Sequence, residues 1–517
     1  MANKSLFRST VGKLLPKTDT LNRAGAPAYA YGFEHALAQL AMTGTFNEGF
    51  YGSGSTQVAD LLAAADETDP GFVAQTAIYA RSKGYMKDTP AVLLAVLSMK
   101  DPVLFGRTFG RVVDNGKMLR NFVQIMRSGA VGRKSLGTAP KRQVQAWLNG
   151  ASDWQLLNAA VGNDPSLADV IKMVHPKPET AARAAFYAWI MGKPCDVAAL
   201  PKAVQTYIRF KETGAGELPD VPFQMLTALP LDAKRWAKIA ERGSWQMVRM
   251  NLNTFARHGV FGLKRSASEI AAKLRDPEAV RRAKAMPYQL MATANALGPD
   301  VPKEVREALF DAMEIAVSNA SAIDGSVVVA PDVSGSMQWP VTGYRRGATS
   351  AVRCVDVAGL VAAAMVRTSG DVDVMPFDTR VHNAKFARRD SVLTNAQRLA
   401  EYGGGGTDCT VPLRALNSAR KAPDLVIFVS DNQSWAHQGD GRTTPMMAEW
   451  NELKRRNPAA KLVCIDIAPY GTTQAAGRED ILNVGGFSDQ VFDVIARFAK
   501  GENGADYWVR QIKEIEV

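Results

Sequence analysis

Apolar positions divide the chain into two textures. From about residue 33 to residue 322 they return every three or four residues, as in HALAQLAMTG (35–44), VADLLAAADE (58–67), GFVAQTAIYARSKG (71–84) and AVLLAVLSMK (91–100). That is the spacing of amphipathic helices. Turn signals at Asp69-Pro70, Asp101-Pro102, Asn163 to Pro165, Pro176 to Pro178 and Pro222 cut the region into many short pieces. Helix after helix over about 290 residues, with no exact period, predicts an irregular stack of helix pairs rather than one compact bundle. From residue 323 the pattern changes. The β-branched runs VVVAP (327–331), VDVMPF (372–377), DLVIFVS (424–430), KLVCIDI (461–467) and ILNVGG (481–486) alternate with helical stretches such as VDVAGLVAAAMVRT and MMAEWNELKRR. Such alternation predicts a parallel α/β sheet, so two domains are expected, 1–322 and 323–517.

Within the second part, SVVVAPDVSGSM (326–337) joins a buried strand to a turn carrying Asp332, Ser334 and Ser336. One carboxylate and two hydroxyls in a D-x-S-x-S pattern are hard oxygen donors, suited to a divalent cation and to Mg²⁺ above all. Two later stretches, GGGGTD (403–408) and DLVIFVSDN (424–432), supply Thr407 and Asp431. In a doubly wound parallel sheet such loops converge outside the carboxyl ends of the strands. A single strand-ending Asp more often caps a turn, so the weight lies on all five positions together. An enzyme is not expected. Aspartyl-phosphate enzymes use an Asp-x-Asp pair, whereas Ser334 stands in the second acidic place, and no general base is evident nearby. Gly403 to Gly406 precede Thr407 without the Lys of a P-loop, and the five histidines fall in no Ser/His/Asp order.

Composition adds a division of charge. The chain has 517 residues, is 46% hydrophobic and carries a net charge of +11. Residues 1–322 hold 40 Lys+Arg against 28 Asp+Glu, and residues 323–517 hold 22 against 23, so all of the positive excess lies in the helical part. That asymmetry points to a polyanion as its partner. The densest basic stretch runs from Arg107 to Arg142, with Arg107, Arg111, Lys117, Arg120, Arg127, Arg133, Lys134, Lys141 and Arg142 against Asp114 alone. On a helix over 118–128, Leu119, Phe122, Val123 and Met126 would face inward and turn Arg120, Gln124 and Arg127 outward. A second basic set includes Arg249, Arg257, Lys264, Arg265, Arg281, Arg282 and Lys284. Cys195, Cys354, Cys409 and Cys464 lie far apart, without C-x-x-C spacing. With no membrane-length apolar run and no secretory pattern in MANKSLFRST, a cytoplasmic protein is expected.

These stretches together resemble the Ro (TROVE-domain) RNA-binding proteins in their bacterial form, with a carboxyl-terminal von Willebrand factor A domain. The amino-terminal likeness rests on LAMTGTFNEGFYGS (40–53), AVLLAVLSMKDP (91–102), GRKSLGTAPKRQVQAWLN (132–149), LADVIKMVHPKP (167–178) and VRMNLNTFARHGVF (248–261). The carboxyl-terminal likeness rests on PDVSGSM, GGTDCTVPL (405–413), FVSDNQSW (428–435) and GGFSDQVFDVIARF (485–498). The resemblance implies a multidomain fold: an all-α ring of HEAT-like repeats followed by a doubly wound, Rossmann-like A domain with a metal-ion-dependent adhesion site. In that site Ser334, Ser336 and Thr407 would coordinate directly, and Asp332 and Asp431 largely through water.

The implied function is non-catalytic. Noncoding Y RNA would bind the outer surface, and single-stranded 3′ ends of misfolded RNAs would enter the central hole. A 3′ exoribonuclease tethered through the Y RNA, a monomeric state and no membrane complete the expectation. Lys134, Lys141, Arg142 and His175 fall in stretches that the resemblance places near the RNA-binding surface; a His before Pro176 equally closes a helix end. LNAAVGND (157–164), just before His175, lacks the basic residues of animal relatives. The competing expectation is a metal-dependent adaptor whose solenoid grips protein rather than RNA.

Overall fold

The computed structural model describes residues 16–285, 287–317, 322–344, 352–435, 443–486, 489–501 and 506–517. MANKSLFRST, the 318–321 junction just before residue 322 and residues 487–488 of GGFSDQVFDVIARF lie outside them. Two compact units emerge. One gathers Leu61–Ala279, Leu297–Ala308 and Lys513–Val517; the other gathers Met1–Asp60, Val280–Ala296 and Leu309–Ile512.

The first unit is helical, and its helices start where the sequence breaks. Asp69 accepts from the backbone N–H of Gly71 and Phe72, with Pro70 opening the helix Pro70–Ser82. Asp101 does the same for Val103 and Leu104 ahead of Pro102–Val112. A capping side chain followed by proline satisfies the orphan amides where the preceding helix cannot continue. Pro70–Ser82 packs on Asp88–Lys100 and Pro102–Val112, Asp88–Lys100 also on Gly116–Ser128, Pro102–Val112 on Thr138–Gly150, and both Gly116–Ser128 and Thr138–Gly150 on Leu167–Val174. This is the expected stack of short helix pairs.

The second unit is built on a five-stranded parallel sheet of order β4-β3-β5-β6-β8, with β3 at Ser326–Pro331, β4 at Asp371–Val374, β5 at Leu425–Ser430, β6 at Lys461–Asp466 and β8 at Ile481–Gly485. All five expected strands are present. One sheet face, carrying Val328, Ala330, Val426, Phe428, Leu462 and Cys464, packs with Leu413, Leu416, Met446, Met447, Trp450 and Leu453 from the helices Val411–Ser418 and Pro445–Arg456. The buried helix Cys354–Thr368 packs on β3, β4 and β5. Covered on both faces, the central strands read as continuous apolar runs rather than alternating ones.

Compactness does not follow the change of texture near residue 322. Residues 16–60 belong with the α/β sheet: β1 (Thr20–Leu21) and β2 (Pro27–Ala30) form a small antiparallel sheet with β7 (Thr472–Thr473). Tyr29 of β2 enters the core, and its hydroxyl meets Thr443 Oγ1 at 2.8 Å. Their sequences, TL, PAYA and TT, carry no apolar β-branched run of the kind that marks the five sheet strands.

Candidate metal centre and nucleic-acid interface

The helical unit holds one open cleft of about 860 Å³ lined by Arg127, Lys134, Lys141, Arg142 and Lys172, with Asp169 the single acid on its wall. Three elements supply these cations: the end of Gly116–Ser128, the 133–137 turn leading into Thr138–Gly150, and Leu167–Val174. In Gly116–Ser128, Leu119, Phe122, Val123 and Met126 are buried as expected, which leaves Arg127 exposed. Asp169 is already engaged. Ser166 Oγ donates to it at 2.6 Å and the Ser166 N–H at 3.1 Å, and those two bonds hold its carboxyl below the usual range.

The other expected cations stand elsewhere. Arg120 is half-buried, and its guanidinium donates to the carbonyls of Val161 at 2.8 Å and Asn163 at 3.4 Å, so it braces the 161–163 loop instead of facing outward with Arg127. Arg133 lies against Gly137, whose positive φ of 74° turns the chain into the next helix. Arg249 is 6% exposed and stacks over the Trp245 ring, which leaves it no free surface for phosphate. Arg257 and Lys264 are exposed but do not line the cleft. His175 is exposed and also closes Leu167–Val174 in the left-handed conformation, its N–H donating to Ile171 at 2.9 Å. Lys172 escaped sequence reasoning although it sits within LADVIKMVHPKP; nothing in its spacing separated it from an ordinary surface lysine.

In the α/β unit, β4 lies on one side of β3 and β5 on the other, so the strand order reverses between β3 and β5. Adjacent carboxyl ends, with Pro331 level with Val429, deliver Asp332 and Asp431 to that switch point. Asp332 is fully buried; Oδ1 accepts from the Ser334 N–H at 2.8 Å and Oδ2 from Ser430 Oγ at 2.6 Å. The hydroxyls of Ser334 and Ser336 lie 3.3 Å apart. The glycine loop is laced to this turn, with Gly335 N–H donating to Gly405 O and Gly404 N–H to Val333 O, both at 2.9 Å. Gly403, at φ +87°, passes so close to Val333 that an added Cβ would lie 1.9 Å from its carbonyl oxygen. That close approach needs glycine, and it brings the 403–407 loop alongside the D-x-S-x-S turn with Thr407 buried at 1% exposure.

The electrostatics of the site suit a cation. Burial holds the Asp332 carboxyl above its usual range, and the charge of Asp431 pushes it further; burial likewise raises Asp431. Among the described residues no Lys or Arg pairs with either carboxylate. Two desolvated carboxylates beside three buried hydroxyls form an oxygen-only donor set, which fits a hard divalent ion. Among the described residues no group of three or more His, Cys, Asp or Glu side chains gathers as a metal site, so a cation held here would draw on the hydroxyls as well.

Comparison with known proteins finds counterparts for the carboxyl-terminal domain and for the fold. Residues 326–499 match the family model of the Ro60 vWA domain. The chain is also similar to the crystal structure of the Deinococcus radiodurans Ro (RSR) protein, with a TM-score of 0.62 at 20% identity, over 91% of this chain and 100% of that one. This is the Ro fold, with a carboxyl-terminal vWA domain. At such identity the structural likeness carries the architecture alone. The vWA domain also receives residues that sequence reasoning did not assign to the site. Burial, then the Asp431 charge, pushes the Tyr51 hydroxyl up to about 12, against the opposing influence of Ser336 and Trp435. Tyr51 lay in a quoted motif, but its partners are hundreds of residues away. Behind the site, Asp466 is pushed up to about 7 by burial, against the opposing hydrogen bonds of Tyr31 and Asn432.

Proposed function

We propose that this chain is a non-catalytic RNA-binding protein whose helical part, within 1–322, grips noncoding RNA while the vWA part, within 323–517, recruits protein. The supporting observation is the convergence of Arg127, Lys134, Lys141 and Arg142, joined by Lys172, around one cleft. Five cations on one wall neutralise successive phosphates and release condensed counterions, which gives affinity with little sequence preference. On this reading the cleft holds a structured RNA of Y type. The ring implied by the Ro likeness admits single-stranded 3′ ends of misfolded RNAs, and an exoribonuclease is tethered through the Y RNA. The protein acts as a monomer in the cytoplasm; no described helix is long and apolar enough to cross a membrane.

In the vWA site, Ser334, Ser336 and Thr407 would hold Mg²⁺ directly, with Asp332 and Asp431 acting largely through water. The ion supplies a coordination position that a carboxylate from a protein partner can take. Binding of a Y-type hairpin RNA across a salt series tests the reading. A steep fall in affinity with salt supports it, and absence of RNA binding would favour a solenoid that grips protein.

A further inference from the structure

We propose that Asn22 is a positioning residue of the cation site. It holds the loop from which Asp431 and Thr407 are aimed, so that docking of the amino-terminal turn and occupation of the site are linked; this rests on the metal reading of that site. Nothing in the pattern of residues 16–31 announces such a role, because the contacts that carry it span more than four hundred positions.

The turn is closed by its own hydrogen bonds. Asn22 N–H donates to the Ala26 carbonyl at 2.8 Å and Gly25 N–H to the Asn22 carbonyl at 3.0 Å, with Gly25 at φ +81°. The Asn22 side chain braces it from within, where Oδ1 accepts from the N–H of Ala24 at 3.0 Å and of Ala26 at 2.9 Å. An asparagine whose oxygen is spent this way keeps its amide hydrogens for another partner. Here Nδ2 donates to the Ser434 carbonyl at 2.9 Å, and the N–H of the next residue, Arg23, donates to Gln433 Oε1 at 2.7 Å. Asn22, Gln433 and Ser434 are all buried, which limits competition from water.

Gln433 and Ser434 in turn touch two of the proposed ligands. Gln433 N–H donates to Asp431 Oδ1 at 3.3 Å and its Nε2 to the Asp431 carbonyl at 3.4 Å. Ser434 Oγ donates to the Thr407 carbonyl at 3.4 Å while accepting from Cys409 N–H at 3.1 Å, and Trp435 N–H donates to the same Thr407 carbonyl at 3.0 Å. At the head of the loop, Ser430 Oγ accepts from Asn432 N–H at 2.9 Å and donates to Asp332 Oδ2 at 2.6 Å. Residues 430–435 therefore bond to Asp332, Asp431 and Thr407 together, and Asn22 with Arg23 pins the middle of that stretch. Hydrogen bonds behind a metal's ligands set their orientation and so its affinity. Linkage is reciprocal: if the docked turn tightens cation binding, the cation tightens docking of the turn by the same factor.

The test uses the full chain, with Mg²⁺ alone as the probe. Asn22→Ser keeps a hydroxyl able to close the turn but is too short to reach the Ser434 carbonyl. Calorimetry is expected to show Mg²⁺ binding on the order of ten-fold weaker in the variant. A merely structural role would instead lower the thermal midpoint in EDTA and leave that affinity where it was. In the wild type, hydrogen exchange of a peptide covering residues 20–30, read by mass spectrometry, is expected to slow on adding Mg²⁺. Equal Mg²⁺ affinity in the variant, or exchange that Mg²⁺ leaves unchanged, overturns the inference while the metal reading stands. If Asn22→Ser fails to fold, the exchange measurement on the wild type decides alone. A wild type that binds no Mg²⁺ overturns the metal reading and this inference with it.

Discussion

Reversing two charges in the cleft with Lys141→Glu and Arg142→Glu should weaken RNA binding and flatten its salt dependence. Five cations line the cleft. If each meets one phosphate, log affinity falls with log salt at a slope of about −3.5, roughly a hundred-fold between 50 and 200 mM. Losing two contacts brings the slope to about −2 and the loss over the same range to about twenty-fold. Arg142 is exposed and Lys141 half-buried at the head of Thr138–Gly150, so neither change removes core packing. Fluorescence anisotropy with a labelled Y-type hairpin, at four or five salt concentrations, reads both intercept and slope. Ser334→Ala, in the other compact unit, should superpose on the wild type. An unchanged slope in the double variant would mean that the phosphates lie elsewhere. An equal loss in Ser334→Ala would mean that the two units do not divide the labour.

Mg²⁺ at a hundred-fold excess over its dissociation constant should stabilise the protein by about 2.7 kcal/mol, seen as a rise in calorimetric midpoint, and Asp332→Ala should abolish the rise. In EDTA the protein should lose stability as pH rises from about 4 to about 7. Asp466 is pushed up to about 7, so the folded state holds a proton that the unfolded chain has released. That contribution is fully present below the unfolded value near 4 and is lost as the pH climbs through the folded one, by about 1.4 kcal/mol per unit at most. Because buried His35, lowered to about 4, contributes with the opposite sign, denaturant titrations at pH 5 and 7.5 compare the wild type with Asp466→Asn, and a pH dependence unchanged in the variant would refute the assignment. Arg120→Ala should cost about 1–3 kcal/mol by stranding the Val161 and Asn163 carbonyls, while leaving the RNA salt slope nearly unchanged.

How far the sequence went depended on whether a signal was periodic or pairwise. The five long strands and the short helices were readable because burial repeats along each element, and Asp-Pro pairs marked their starts. The proposed donors Asp332, Ser334, Ser336, Thr407 and Asp431 could be named together because they follow strand ends or a glycine run, and topology gathers such ends. Arg120 and Arg249 were not, since an exposed arginine and one spent on carbonyls or an indole look alike in a helical pattern. Lys172 was missed for a related reason: its place on the cleft comes from neighbours on other elements, and no local spacing encodes those.

The pairing of Tyr29 with Thr473 sets an order of events during synthesis. β2 is made well before its partner, which follows more than four hundred positions later. Until then its aromatic side chain has no core to enter, and the nascent α/β sheet stays incomplete while the helices between are already able to pack. Closing so long a loop is slow and leaves apolar surface open to misassociation. The arrival of β7, rather than the making of any one helix, becomes the moment at which this sheet can close.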